Sequence, residues 1–411
     1  MTRSMLEELS TEAVPSLDLT TPSHLDRLRS MADLLEDSVA SDPVALDAMD
    51  ATAVDHPVAV RVAVKLAKSR SLLRGLKTPF HVSIVLAVYK EHIRILGASQ
   101  HEDGEDFLRE KLRQLNWLFA DSPQHTWDLT VVDDGCPEGS GHLAKAVLKD
   151  AAAPGDEVRV LFLEEAIGRG VPTARHLTST ADSQKGGAIQ YGLWHAVQTV
   201  RGPNHVALFT DADLSTHLGQ IGLLLSPLSG PVYAAIGSRR DPSSVVVKAA
   251  ARDARGRLFI YLWKRLIPSL SGVVDTQCGF KAFRANDLRT WIEETTDPTF
   301  SFDIELLLRV ELSHAHSICT VPIAWIDSDA ASTTRELDPY LAMLKKVVSL
   351  YRRALPPSAT SEPFATLIEG LDAASFRAIL DRIPSEIATR DPGEFDDFDG
   401  VGADQLANLI G

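Results

Sequence analysis

The chain has 411 residues, 45% hydrophobic and 24% charged, with 41 basic against 56 acidic side chains and a formal net charge of −15. That composition suits one large globular domain with appendages, or two smaller ones, and excludes disorder throughout. The acidic balance argues against a broad nucleic-acid or anionic-lipid surface, so a small anionic ligand needs a dedicated pocket.

The N-terminus, MTRSMLEELSTEAVPSLDL, carries acids where a signal peptide has an apolar stretch. Residues 1–79 show helical apolar spacing (Leu25, Leu28, Met31, Leu34 and Leu35, then Val58, Val62 and Leu66), which predicts a helical extension. From Phe80 the pattern changes to short β-branched runs separated by helical segments: HVSIVLAVY, LTVVDD, VRVLFLE, VALFTDAD, VYAAIGS and SICTVPIAW. Apolar strands alternating with helices predict an α/β domain over 80–353 with a mainly parallel sheet buried on both faces. The uncharged stretch from Leu214 to Ser238 contains Pro227 and Pro231, and reads as a helix, a turn and a strand rather than a bilayer span.

Residues 354–411 form an acidic extension; from Pro356 onward there are 11 acidic and 3 basic residues. Its middle predicts one or two short helices. DPGEFDDFDG reads as solvated surface rather than a calcium loop, because the DxDxDG spacing and closing Glu are absent. Deleting residues 392–411 is therefore expected to leave activity unaffected. Cys136, Cys278 and Cys319 lie far apart with no CxxC pair, which leaves no disulfide framework or structural zinc site and makes a reducing cytoplasm the simplest location.

In parallel sheets ligands collect beyond the carboxyl ends of strands, so polar residues that end apolar runs are candidates for the site. VALFT ends in Asp211-Ala212-Asp213, where two carboxylates at a turn can hold a hard divalent cation; the same acids also suit a solvated turn or helix cap. LTVV ends in Asp133-Asp134-Gly135, and Asp134 can accept hydrogen bonds from a ribose or a base edge. Lys185-Gly186-Gly187 opens an apolar helix, a suitable place for phosphate charge, although the loop lacks the Walker spacing. Of Asp303 and Glu305, two residues apart, only one can reach a given pocket. Cys278 and His195 read as packing residues. Arg252, Arg255 and Arg257 lead into LFIYLWKRLI, which reads either as a membrane-surface or acceptor-pocket wall or as a packing helix with snorkelling cations.

Taken in order over residues 80–326, SIVLAVYKEH, LTVVDDG, QKGGAIQYGL, VALFTDADLST, AIGSRR, DTQCGFKAF and SFDIELL resemble family 2 glycosyltransferases of the GT-A fold. The nearest likeness is to the dolichyl- and polyprenyl-phosphate glucosyl- and mannosyltransferases. The resemblance implies a Rossmann-like, mainly parallel sheet that holds a nucleotide-sugar donor, UDP-glucose in preference to GDP-mannose. It implies that Ala87, Tyr89, Glu91 and Asp134 contact the nucleoside, Lys185 the nucleotide end of the pocket, and Asp211 with Ala212 the donor. Asp211 and Asp213 would hold Mg²⁺ or Mn²⁺, while Ser238, Arg239, Gln277 and Lys281 would border sugar and acceptor. The implied reaction inverts the anomeric carbon, with Asp303 as the base if the acceptor is a hydroxyl.

Some motifs depart from the relatives. Their Pro-x-Tyr-Asn-Glu reads Ala87-Val-Tyr-Lys-Glu91, the loop 165–184 is long, and IDSDAASTTRE follows VPIAW without the usual lysine. The acceptor thus stays open between a lipid phosphate and a soluble phosphate or hydroxyl compound. No nucleic-acid partner is expected, and the expected location is cytoplasmic, with peripheral contact at the inner membrane face left open. Two other functions compete: a silent nucleotide-sugar-binding or scaffolding protein, and a nucleotidyltransferase, which lacks its glycine-rich loop here.

Overall fold

A computed structural model describes residues 2–40, 42–247, 253–327, 338–395 and 400–410. Arg252, the stretch 328–337 and the acidic residues 396–399 lie outside the described residues. Nine strands are present among those described: β1 (His81–Val88), β2 (Thr126–Asp133), β3 (Glu157–Phe162), β4 (His205–Thr210), β5 (Ala234–Ser238), β6 (Val245–Val247), β7 (Phe280–Arg284), β8 (Ile318–Pro322) and β9 (Ala324–Ile326). Seven form one sheet in the order β3-β2-β1-β4-β7-β5-β8, and β6 pairs with β9 beside it. All neighbours in the large sheet are parallel except β7, which runs antiparallel between β4 and β5. The expected α/β architecture is thus observed, with two strands, β7 and the short β6, that the apolar runs did not announce.

Strands β1, β2 and β4 are buried over nearly their whole length, which explains their continuous apolar sequence. The helix Gly186–Val197 covers one face. On the other lie Phe107–Phe119, Ile221–Leu228 and the helix Val58–Gly75. That last helix is enclosed by Pro22–Ser38, Pro43–Thr52 and Ile221–Leu228, so residues 1–79 share a core with the sheet. Polar groups pin the assembly: Lys65 reaches Asp50 at 2.7 Å, and Arg70 joins Asp33 to Asp121.

The C-terminal extension packs onto the aromatic helix Asp253–Leu266. Tyr261 donates its hydroxyl to the Val401 carbonyl and meets Phe395 edge-on at 5.4 Å. Arg257 and Arg265 hydrogen-bond the carbonyls of Arg390 and Phe395. The face of this helix that reads from sequence as a membrane contact is therefore covered by the chain's own tail.

A polar cluster lies at the amino ends of β1, β2 and β4, away from the carboxyl edge. Asp128 accepts from His81 at 2.9 Å and from Ser83 at 2.8 Å, and Ser83 also contacts His205 at 3.0 Å. The Arg201 N–H donates to His205 Nδ1, which keeps that ring neutral. Burial and the neighbouring His81 push the His205 pKa down to about 4. The unfolded ring titrates near 6.5, so it takes up a proton before the folded one does. Stability is full above about pH 6.5 and is lost as pH falls towards 4, by about 3 kcal/mol at most. Denaturant midpoints measured between pH 7 and 4.5 are expected to show this decline, and His205→Gln is expected to flatten it.

Candidate active site

The carboxyl ends of β1 and β4 are adjacent, and chain order reverses between them, which makes a topological switch point. A cavity of about 1070 Å³ opens there, lined by Ala87, Tyr89, Glu91, Asp134, Lys185, Asp211, Ala212, Asp213, Arg239, Gln277 and Asp303 among others. Eleven of the residues expected at the site thus converge on one wall system. Ser238 and Lys281 do not line it. Ser238 is buried, accepting from the Arg240 N–H at 3.1 Å, and Lys281 lies fully buried behind Asp303.

On the β2 side, the neighbouring aspartates divide their tasks. Asp133 accepts the N–H groups of Gly135, Cys136 and Gly141 at 2.7–3.0 Å and so shapes the exit loop. A Cβ at Gly141 would come within 2.7 Å of that carboxylate, and Gly135 turns with φ +75°. This frees Asp134 to face the cavity. Its Oδ2 accepts the Lys185 N–H at 2.8 Å, whereas Oδ1 is buried without a well-formed hydrogen bond. Burial lifts its pKa to about 6 despite the pull of Ser183 and the Lys185 N–H.

Lys185 is a non-glycine residue in the left-handed region (φ 72°), held there at the N-terminus of the helix Gly186–Val197. Side chains at 186 and 187 would collide with the Thr299 carbonyl and with Ser183, so the two glycines let this turn dock. The Lys185 ammonium pairs with Asp211. Burial alone would raise the Asp211 pKa, but Lys185, Arg239 and Lys281 bring it below the usual carboxylate value. Gly279 abuts the Asp211 carboxylate, where a Cβ would sit 2.3 Å away. Asp213 closes an Asx turn onto Ser215 N and Oγ. Its carbonyl accepts Lys111 Nζ at 2.8 Å.

Lys111, on Phe107–Phe119, is fully buried, and burial lowers its pKa to about 8. Sequence reasoning missed it. Its signal was a lysine on the apolar side of an amphipathic helix, visible only once β4 lies beside it. Arg94 was missed for the same reason; it lines the cavity and joins Glu91 to Glu105 at 2.8 Å each. Burial raises the Glu91 pKa, against the pull of Arg94.

On the far side, Asp275 grips Arg239 through Nε at 2.8 Å and the terminal nitrogen at 2.7 Å, and the guanidinium lies over Trp325. Although burial opposes it, this pairing holds the Asp275 pKa down at about 2. Asp303 accepts from Gln277 at 2.7 Å and from Lys281 at 3.1 Å, yet burial leaves its pKa raised. Glu305 points elsewhere, to the Thr296 and Asp297 N–H groups, as the two-residue spacing requires. Burial pushes the Cys278 thiol up to about 12, consistent with packing rather than nucleophilic chemistry. The long loop 165–184 borders the Asp134 side, where Thr180, Ala181, Ser183 and Gln184 line the cavity.

No family model matches the chain. It is 28% identical over 262 residues to the dolichyl-phosphate β-glucosyltransferase of Drosophila melanogaster, covering 62% of this chain and 69% of that one. With the Dictyostelium discoideum enzyme of the same name it is 23% identical over 286 residues (67% and 75%). With the glycosyltransferase AglD of Haloferax volcanii it is 25% identical over 245 residues (59% of this chain), and it spans only 33% of that longer protein. Among solved structures, glucosyl-3-phosphoglycerate synthase from Mycobacterium tuberculosis, in complex with Mn²⁺, UDP and phosphoglyceric acid, superposes with a TM-score of 0.45 at 19% identity, covering 71% of this chain and 84% of that one. The chain is thus similar in sequence to glycosyltransferases, dolichyl-phosphate β-glucosyltransferases among them.

Proposed function

We propose that the chain is an inverting, metal-dependent glycosyltransferase that moves glucose from UDP-glucose to a small acceptor. The observation that carries this reading is the convergence of Asp134, Lys185, Asp211 and Asp213, from three separate stretches of sequence, on one cavity at the switch point. Asp211 and Asp213 form an all-oxygen pair suited to Mg²⁺ or Mn²⁺. Among the described residues no three His, Cys, Asp or Glu side chains gather to hold a metal, so the chain contributes two carboxylates and the remaining ligands fall to diphosphate and water. Bound there, the cation supplies Lewis-acid stabilisation of the leaving diphosphate.

The chain's own residues do the rest. The orphan Asp134 oxygen accepts a nucleoside N–H or O–H, and the Lys185 ammonium is available to phosphate at a helix N-terminus. Asp134→Asn is expected to weaken UDP binding roughly tenfold or more, the value of one charge-assisted hydrogen bond. In the wild type, binding is expected to weaken as pH falls below about 6, where Asp134 protonates. Titration calorimetry across pH 5–8 checks both.

The experiment that tests the function is calorimetric titration of UDP, UDP-glucose, GDP and GDP-mannose, with and without Mn²⁺. Metal-dependent uridine binding is expected. Guanosine preference would move the donor to GDP-mannose, and binding without UDP release under any acceptor would favour a silent nucleotide-sugar-binding protein.

A further inference from the structure

Beyond the donor residues the cavity changes character. Phe259, Ile260, Phe300, Phe302, Tyr340 and Met343 line its remaining depth, next to Asp303. Two of these belong to the helix Asp253–Leu266, which stands between the cavity and the C-terminal tail. Phe259 and Ile260 face inward while Tyr261 packs against Phe364 and Phe395. Residues from Leu258 to Trp263 are all at most 5% exposed, so this helix keeps no apolar face for a bilayer. Among the described residues no helix is long and apolar enough to cross a membrane, and the exposed large apolar side chains come from separate elements. The segments 248–252 and 328–337, KAAAR and SDAASTTREL, contain no large apolar side chain except Leu337. Among the described residues, no contiguous apolar face borders the site to receive a membrane-embedded chain.

Among the described residues, the cations of this wall nearest Asp303 already face carboxylates. Arg239 is held by Asp275, Arg240 adds its charge to the same carboxylate and Lys281 lies behind Asp303. A phosphate dianion placed beside Asp303 would meet a carboxylate and aromatic rings, an expensive place for a second charge. A hydroxyl group fits better, since an ionised carboxylate has about four acceptor positions and Gln277 and Lys281 each occupy one on Asp303.

We propose that the acceptor is a water-soluble alcohol or phenol, a hydroxyl on a compact apolar body that fills the aromatic chamber, with Asp303 taking its proton. This rests on the UDP-glucose reading of the donor half. In the transfer, the acceptor O–H bond breaks and its proton passes to the Asp303 carboxylate. The oxygen bonds to the anomeric carbon of glucose, and the bond from that carbon to the β-phosphate oxygen breaks, its electron pair leaving with UDP. Asp303 later returns the proton to water. At about 1070 Å³ the cavity exceeds the space one drug-sized ligand fills, leaving room for donor and acceptor together.

The test uses the full-length protein with UDP-glucose and Mn²⁺, reading donor binding by calorimetry and UDP release by a coupled assay. The acceptors are 1-naphthol and geraniol, each set against its own phosphate monoester, and dolichyl phosphate in phosphatidylcholine vesicles. The alcohols are expected to raise UDP release several-fold above hydrolysis and to yield glucosides by mass spectrometry, with the phosphates inert. Asp303→Asn is expected to lower the alcohol-dependent rate about 100-fold or more. Transfer to a phosphate monoester or to vesicle dolichyl phosphate overturns the proposal, as does inertness of both alcohols while UDP-glucose is bound. Failure of the calorimetric step refutes the donor reading itself, and the acceptor assignment falls with it.

Discussion

A chain ending at Asp391 is expected to lose much of its stability and, with it, its transfer activity. The deletion removes Phe395, Val401, Ala403 and Leu406, all buried, and uncovers Tyr261, which is 1% exposed in the intact protein. At 1.5–3 kcal/mol for each of the three larger side chains, the loss is about 6 kcal/mol. Whole domains are stable by only about 5–15 kcal/mol. A fall of about 10 °C or more in the thermal midpoint is the expected reading, and an unchanged midpoint would show that the tail is ornamental. The acidic composition of this segment points the other way, towards a dispensable surface. Its few apolar residues, spaced among the acids, are the ones that pack, and net charge conceals them.

The second large effect is at the turn after β4. On the proposed reading, Asp213→Ala is expected to abolish the manganese-dependent part of nucleotide binding, a loss of about 100-fold or more, because it removes one of the two carboxylates assigned to the cation. The fold is expected to survive, since Asp213 makes only a local turn with Ser215 and its carbonyl, not its side chain, receives Lys111. Calorimetry with and without Mn²⁺ and a thermal melt separate the two effects. Unaltered metal-dependent affinity would remove Asp213 from the metal site.

The parallel strands were legible because burial on both faces demands continuous apolar runs, as in β1 and β4. Strand β7 was not: FKAFR interleaves Lys281 and Arg284 with its apolar residues, and both cations find partners far along the chain, at Asp303 and at the carbonyls of Leu228, Gly230 and Val232. The residues at strand ends, Asp134, Asp211 and Asp213, were legible for a related reason, since acids that terminate buried strands have little reason to be there except a ligand or a turn. Ser238 carried the same signal and instead serves the turn, receiving the Arg240 N–H. Lys111 and the aromatic chamber were hidden because each depends on elements distant in sequence. The helices before Phe80 showed their periodicity, but nothing local revealed that Val58–Gly75 would be enclosed by other helices on nearly every side.

The ion pair between Lys185 and Asp211 neutralises this part of the site from within. A cation arriving alone has to evict an ammonium group, and a diphosphate arriving alone has to draw that ammonium away from its carboxylate. Either arrival undoes half of the obstacle to the other. On the proposed reading the two ligands therefore assist each other by equal factors, as linkage requires. The protein would ignore free manganese and free nucleotide at concentrations where it captures the two together.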